Sequence, residues 1–323
     1  MIDSTSGSAD QALLARIDEA FTCKYCEIII KDPEPAISEL KEALRIYFPH
    51  ITAESWPTRI AWGGLFINGR EQRSYDYLLP YPCRIEYYEP RFDFTDPYSY
   101  FPRFSPSWIL FEDETVLCSF KPVKLPSMPA REQTHYCLKQ YLEQYLGHTI
   151  HMPSRLDMST AGLLVVSKDP RYHNTLQRAY EGRRVSKHYL FETASPVHLT
   201  TADITLPIGK DPLHPVLRKP DPEGGKPAHT VFSVVKESSR GTTFVEALPK
   251  TGRTHQIRVH ARYSGFPICG DNFYGGAPAD TLHLLSYKVT FTHPKKQTPV
   301  TVRLPQSLTP TWALEAYDTL VER

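Results

Sequence analysis

A chain of 323 residues that is 41% hydrophobic and 23% charged can bury a sizeable core and has room for two domains. No apolar run reaches the length of a membrane span. Residues 1–10 are polar and acidic rather than a secretory signal, and a net charge of +1 excludes a chain that is basic throughout. Cytoplasmic residence is the expectation. Charge is uneven: residues 1–45 carry five Lys/Arg against nine Asp/Glu, a balance of −4, so the remainder carries +5 and can still present a basic face. The cysteines are Cys23, Cys26, Cys83, Cys118, Cys137 and Cys269. Cys23-x-x-Cys26 has no second close pair to complete a zinc site, so reduced thiols and no metal are expected.

After a loose tail, Leu13, Leu14, Ile17 and Ala20 predict a helix over Gln11–Phe21. Leu40, Leu44 and Phe48 predict a second within Ile37–Phe48, closed by Pro49. Thr58–Trp62 reads as a short helix stopped by Gly63-Gly64, and Leu65–Arg70 as a strand running into an Asn68-Gly69 turn. Leu78–Pro82 reads as a further turn and Cys83–Tyr88 as a closing strand. This order, helix then strand–Asn-Gly–strand, resembles an S4-type RNA-binding module. The resemblance implies phosphate contacts at Arg59, Arg70 and Arg73, with fewer basic residues on the first helices than such modules usually show. Residues 1–90 are therefore expected to form an N-terminal RNA-binding unit. Residues 91–107, broken by Pro97, Pro102 and Pro106, form a linker whose aromatics serve as packing anchors.

The second unit, 108–323, opens with strands at Trp108–Glu114 and Val116–Lys121. A helix marked by Leu138, Leu142 and Tyr145 ends at Gly147. Leu163–Val166 has the length and branching of a buried strand. Asn174–Tyr180 reads as a helix, Ser186–Thr193 as a strand and Lys210–Lys226 as a loop. Thr230–Val235 and Thr243–Leu248 read as a hairpin. A helix capped by Thr254 is expected to run to about Ser264, with Gly265 at its exit. Leu282–Phe291 and Pro299–Leu304 close the sheet and Trp312–Val321 forms a last helix. Many short strands with a few helices predict an α+β fold around a mostly antiparallel sheet.

The stretch Met152–Val166 sets Arg155 and Asp157 in a polar turn immediately before the buried strand, so a rigid element anchors opposite charges. It resembles the RLD-x-x-T-x-G-L-L signature of RluA-type pseudouridine synthases. Arg184–Tyr189 is similar to that family's K-x-Y block. Gly252-Arg253-Thr254-His255-Gln256-Ile257-Arg258-Val259-His260, continuing through Gly265–Gly275, is similar to its H-Q-I-R block, and Lys121–Pro126 to its K-P-x-x-x-P loop. The resemblance spans roughly residues 108–305. It departs at Ser154 and Met158, where many relatives have histidine and arginine, and at Ala161, so RNA specificity does not carry over.

A carboxylate can act as nucleophile, general base or ion-pair partner. The resemblance implies that Asp157 starts the isomerisation of uridine to pseudouridine, by attack at C1′ or by removal of the C2′ proton. It implies that Arg258 is the charge partner that keeps Asp157 ionised, and that Tyr189 gives the extruded uracil a face to stack on. Arg155 would fill the space that the flipped nucleotide leaves. Arg183, Arg184, Lys187, Arg253 and Arg262 are candidate phosphate contacts, giving affinity without sequence choice. An internal rearrangement demands no cofactor, and no G-x-G-x-x-G or P-loop pattern occurs. The expected partner is ribosomal or transfer RNA, engaged by a monomer without a guide RNA. Two rivals remain. One is a non-catalytic RNA-binding or ribosome-associated protein on the same fold. The other is a metal hydrolase using His255, His260 and Asp271, whose histidines stand five apart, off a common helical face.

Overall fold

The structure, a computed structural model, describes residues 24–31, 37–89, 96–130, 135–198, 200–212 and 216–321. The helix expected over Gln11–Phe21 and the first cysteine of the Cys-x-x-Cys pair lie outside these residues. Among the described residues two larger sheets, one before and one after residue 100 in the sequence, and a small two-stranded ladder organise the chain.

The N-terminal sheet contains β1 (Lys24–Ile30), β2 (Leu65–Ile67), β3 (Arg70–Glu71) and β4 (Cys83–Glu89), ordered β1-β4-β2-β3 and antiparallel throughout. Helices α1 (Leu40–Tyr47) and α2 (Trp56–Trp62) complete the unit. The sequence pattern does not anticipate β1. Three isoleucines in a row show neither a period of two nor of 3.6, and pairing along the whole of β4 makes the strand. Leu40, Ala43 and Leu44 bury one face of α1, and the Glu42 carboxylate accepts the N–H groups of Ser38 and Glu39 ahead of it. Pro57 suits the first turn of α2, and Gly63 ends it at φ +102°. Phe48, Trp56 and Tyr87 meet edge to face with centroids 4.9–5.8 Å apart, which centres the core.

The linker packs on the C-terminal unit. Phe101 is buried and stacks on Tyr136, and Phe104 meets Trp108 and Tyr141 edge to face. Beyond it come β5 (Ile109–Glu112), β6 (Val116–Lys121), α3 (Leu138–Leu146), β7 (Ala161–Ser167), α4 (Pro170–Glu181), β8 (Ser186–Thr193), β9 (Thr201–Ile204), β10 (Ile208–Lys210), β11 (Arg218–Pro220), β12 (Thr230–Glu237), β13 (Thr243–Pro249), α5 (Gln256–Tyr263), β14 (Leu284–Thr292), β15 (Pro299–Arg303) and α6 (Leu314–Val321). Among the described residues nine strands form one sheet, ordered β5-β6-β7-β14-β8-β13-β12-β9, with β15 also on β14. Every pair is antiparallel except β7 with β14, which makes the unit α+β.

The parallel pair is where Gly162 is required. Its φ is +132°, and a Cβ there would lie 2.3 Å from the backbone oxygen of Ser286. All seven residues of β7 are buried, so the strand that leads away from Asp157 is covered on both faces.

The structure departs from three sequence expectations. Helix α4 begins at Pro170 rather than Asn174, because the Asp169 side chain accepts the Arg171 N–H and proline suits the first turn. Lys210–Lys226 is not loop throughout. Within it β11 pairs antiparallel with β10, which ends at Lys210, and Ile208 and Leu217 bury against Val259, Phe273 and Tyr274, a contact that local composition cannot reveal. Helix α5 is not capped by Thr254. His255 holds the N-cap position with left-handed backbone, φ +57°. The Gln256 side chain takes over the turn: its Oε1 accepts from Arg253 N and Thr251 Oγ1, while its Nε2 donates to His229 O and Thr230 Oγ1.

Candidate active site

The loop that enters β7 is tied down on both sides of Asp157. Before it, Ser127 Oγ accepts the Leu156 N–H at 2.9 Å and donates to the Leu156 carbonyl at 2.7 Å. After it, the Thr160 N–H closes a turn on the Asp157 carbonyl. Lys121, at the end of β6, is fully buried and donates from Nζ to the carbonyls of Pro122, Leu125 and Met158. Burial pushes its pKa down to about 7, with the Asp157 charge working the other way. The buried Lys121 side chain thus holds the turn that carries Asp157.

On the facing side, α5 presents Arg258, 5% exposed along its side chain. Its Nε and Nη2 each donate to Asp271 at 2.8 Å, and its Nη1 reaches Asp157 Oδ2 at 3.3 Å across 101 residues of sequence. Asp271 is in turn fixed by the N–H groups of Phe273 and Tyr274. The guanidinium is therefore clamped in two places by one carboxylate and offers its remaining edge to the other. That asymmetry leaves Asp157 oriented but only loosely bonded. Burial works to raise the pKa of Asp157; the His255 imidazole and the Arg258 guanidinium outweigh it and hold the carboxyl below the ordinary carboxylate range.

His255 lies behind the same carboxylate, its Nε2 3.8 Å from Asp157 Oδ2 and its Nδ1 2.8 Å from the Tyr274 hydroxyl. Burial, reinforced by Arg258, pushes it down to about 4, so the ring is uncharged at neutral pH. Tyr189 stands on β8 opposite Ala247 and Ser286, largely buried, with burial raising its phenol pKa.

Asp157, Arg258, His255 and Tyr189 line one cleft of about 950 Å³. Of the residues expected from the sequence, it gathers Asp157, Arg258, Tyr189, Arg155, Arg183, Lys187 and Arg253. Arg155 is exposed and reaches Thr254 Oγ1 at 3.4 Å, and Arg253 Nε donates to Pro227 O. Burial lowers the pKa of Lys187. Arg184 and Arg262 are exposed outside the lining. In the N-terminal unit, Arg59 is engaged by Tyr87 and Glu89, Arg73 by Glu71, the Ala61 carbonyl and His135, and Arg70 is exposed at the start of β3.

Sequence reasoning misses the clamp by Asp271, the tether by Lys121 and the placement of His255 on Asp157. All three residues stand within the motif blocks, but only tertiary contact shows their use. The metal-hydrolase arrangement is absent: His260 is bonded to Thr230 Oγ1 and the Leu206 carbonyl, Asp271 to Arg258, and among the described residues no group of three ligating side chains could hold a metal.

A family model described as RNA pseudouridylate synthase matches residues 115–263. The dual-specificity RNA pseudouridine synthase RluA of Vibrio parahaemolyticus is 37% identical over 197 residues, 58% of this chain and 78% of that protein. The RluA of Escherichia coli is 32% identical over 204 residues, 61% and 92% of the two. A solved structure, human RNA pseudouridylate synthase domain containing 1, aligns with a TM-score of 0.54 and 24% identity over 66% of this chain and 92% of that one, a likeness of fold.

Proposed function

The chain belongs to the RluA-type family of RNA pseudouridine synthases and isomerises uridine to pseudouridine in RNA; from this premise we propose how its residues do so. Asp157 is the reacting carboxylate. Arg258, held by Asp271, keeps it ionised and aimed into the cleft, and Tyr189 offers its ring to the extruded uracil. Both chemical routes, attack at C1′ and abstraction at C2′, need a charged carboxylate close to sugar and base. The 3.3 Å Arg258–Asp157 contact at the base of a cleft that also holds Tyr189 and Arg155 carries this reading.

Arg155 enters the space left by the flipped nucleotide, and its exposure at the rim supports that role. Arg183, Lys187 and Arg253 in the cleft, with Arg184 and Arg262 outside it, contact phosphates on the flanking strand. The enzyme works as a cytoplasmic monomer without guide RNA, on ribosomal or transfer RNA. Residues 1–90 form an S4-like RNA-binding module, 91–107 a linker and 108–323 the catalytic unit; the helix–strand–turn–strand order of residues 56–89 supports the first of these. The test is pseudouridine mapping across total RNA from cells with and without the protein. At least one site should depend on it, and complementation with Asp157→Asn should fail to restore that site. Restoration by the asparagine variant would overturn the assignment.

A further inference from the structure

Resting on this reading of Asp157, we propose that His255 is a positioning residue for that carboxylate, with its Nε2–H turned toward Asp157 because Tyr274 and the backbone of the β10–β11 hairpin decide which ring nitrogen carries the proton. Three observations support it. The Tyr274 hydroxyl is buried and accepts the Arg218 backbone N–H at 3.1 Å. Its own proton has one acceptor among the described residues, His255 Nδ1 at 2.8 Å. With Nδ1 an acceptor, the ring proton sits on Nε2, the nitrogen 3.8 Å from Asp157 Oδ2. That separation is just too long for a hydrogen bond, so a small movement of the carboxylate toward substrate or back engages or releases it.

The backbone points the same way. Among the described residues His255 is one of few non-glycine residues with positive φ, and it stands at the N-cap of its helix without making a side-chain cap bond, while the Gln256 side chain ties the preceding turn through the Arg253 N–H. A helix start needs no left-handed histidine. Asparagine or glycine would hold that conformation at least as easily, so the backbone alone does not call for histidine at this position. The hairpin supplies the third observation. It packs through Ile208 and Leu217 on Val259, Phe273 and Tyr274, which locks the tyrosine that orients the ring.

The charged and titratable groups around His255 are Asp157 on its loop, Arg258 on α5, Asp271 and Tyr274 on the loop after it, and Arg218 on β11. Two cations oppose protonation, two carboxylates favour it, and burial adds to the first, so the uncharged ring prevails. An imidazolium would pair with Asp157 and blunt it. The uncharged ring can donate one hydrogen bond without neutralising the carboxylate.

The experiment compares His255→Gln, His255→Asn and Tyr274→Phe with wild type in single-turnover conversion of unmodified total RNA, alongside thermal melts. A glutamine amide nitrogen lies near the place of Nε2, an asparagine nitrogen near that of Nδ1. Turnover is expected to remain within about ten-fold of wild type for glutamine and to fall by about 10²-fold for asparagine, the loss typical of a misplaced reacting group. Asparagine should nevertheless melt at the higher temperature of the two, because it suits φ +57°. Tyr274→Phe removes the donor that keeps Nδ1 unprotonated, so the acid limb of the pH–rate profile should move to higher pH with KM unchanged. Asparagine turning over as fast as glutamine, or an unmoved profile in Tyr274→Phe, would overturn the proposal while leaving Asp157 in its role. A wild-type protein that converts no uridine would overturn the reading of the cleft as well.

Discussion

Two arginine–carboxylate pairs divide the molecule. In the N-terminal unit Arg59 meets Glu89 at 3.1 Å with side chains 18% and 24% exposed. In the cleft Arg258 meets Asp271 at 2.8 Å with side chains 5% and 0% exposed. The first pair finishes a fold that Phe48, Trp56 and Tyr87 already hold by packing, and its water-facing edge limits its worth to roughly 1 kcal/mol or less. The second sits where removing charge from water is expensive, and an apolar pair of similar volume would hold the fold as well or better. What an apolar pair could not do is offer a spare N–H edge to Asp157. In the proposed function the buried Arg258–Asp271 charge serves to organise Asp157, whereas the Arg59–Glu89 charge sits where water makes it cheap.

The sharpest way to break that contrast is Asp157→Asn. Turnover should fall by roughly 10⁴-fold or more, while the melting temperature stays near wild type because Arg258 keeps Asp271. The same contrast fixes the pH behaviour. Asp157 has a folded pKa below the ordinary carboxylate value of about 3.9. Its ionised form, and the stability its ion pairing adds, are complete above that ordinary value and are lost as pH falls through the lower folded value. The carboxylate should therefore impose no loss of rate between pH 8 and about pH 5. A limb near pH 6 in the pH–rate profile, traced to Asp157, would mean that the carboxylate is not held charged.

Next in size is Asp271→Ala. It strands a buried guanidinium and should cost about 3–5 kcal/mol in denaturant unfolding, against about 1 kcal/mol or less for Arg59→Ala. Turnover should drop with Asp271→Ala and not with Arg59→Ala. Equal destabilisation by the two would remove the distinction between the regions.

The regions also differ in how much of them could be read without coordinates. β7 was legible because a run of apolar residues between turns has few other uses, and α3 because Gly147 marks its exit at φ +72°. Asp157 and Arg258 were legible together only through motif order, since nothing local links residues 101 apart. Asp271 was invisible as a clamp: it lies 13 residues from Arg258, past a helix end and a turn, at no regular spacing. Lys121 closes an apolar strand, but nothing local gives its use, since one of its acceptors, the Met158 carbonyl, arrives from 37 residues on. The left-handed backbone of His255 leaves no mark in composition. β1 was missed because its pattern is set by its partner strand, and the β10–β11 ladder because proline and glycine masked two apolar anchors.

The smallest effects test whether both regions touch RNA. A basic side chain on a phosphate lowers the slope of log affinity against log salt by about 1 when it is removed, and weakens binding of all sequences alike. Lys187→Ala, in the cleft, should produce that change. Arg70→Ala tests the N-terminal unit at the exposed start of β3, where loss of the side chain should leave the backbone pairing intact. If residues 1–90 contact RNA, Arg70→Ala should flatten the slope by a fraction of that unit, about 0.5, with turnover at saturating RNA unchanged. An unaltered slope for Arg70→Ala beside a reduced one for Lys187→Ala would confine RNA binding to the cleft and leave the N-terminal unit a packing domain.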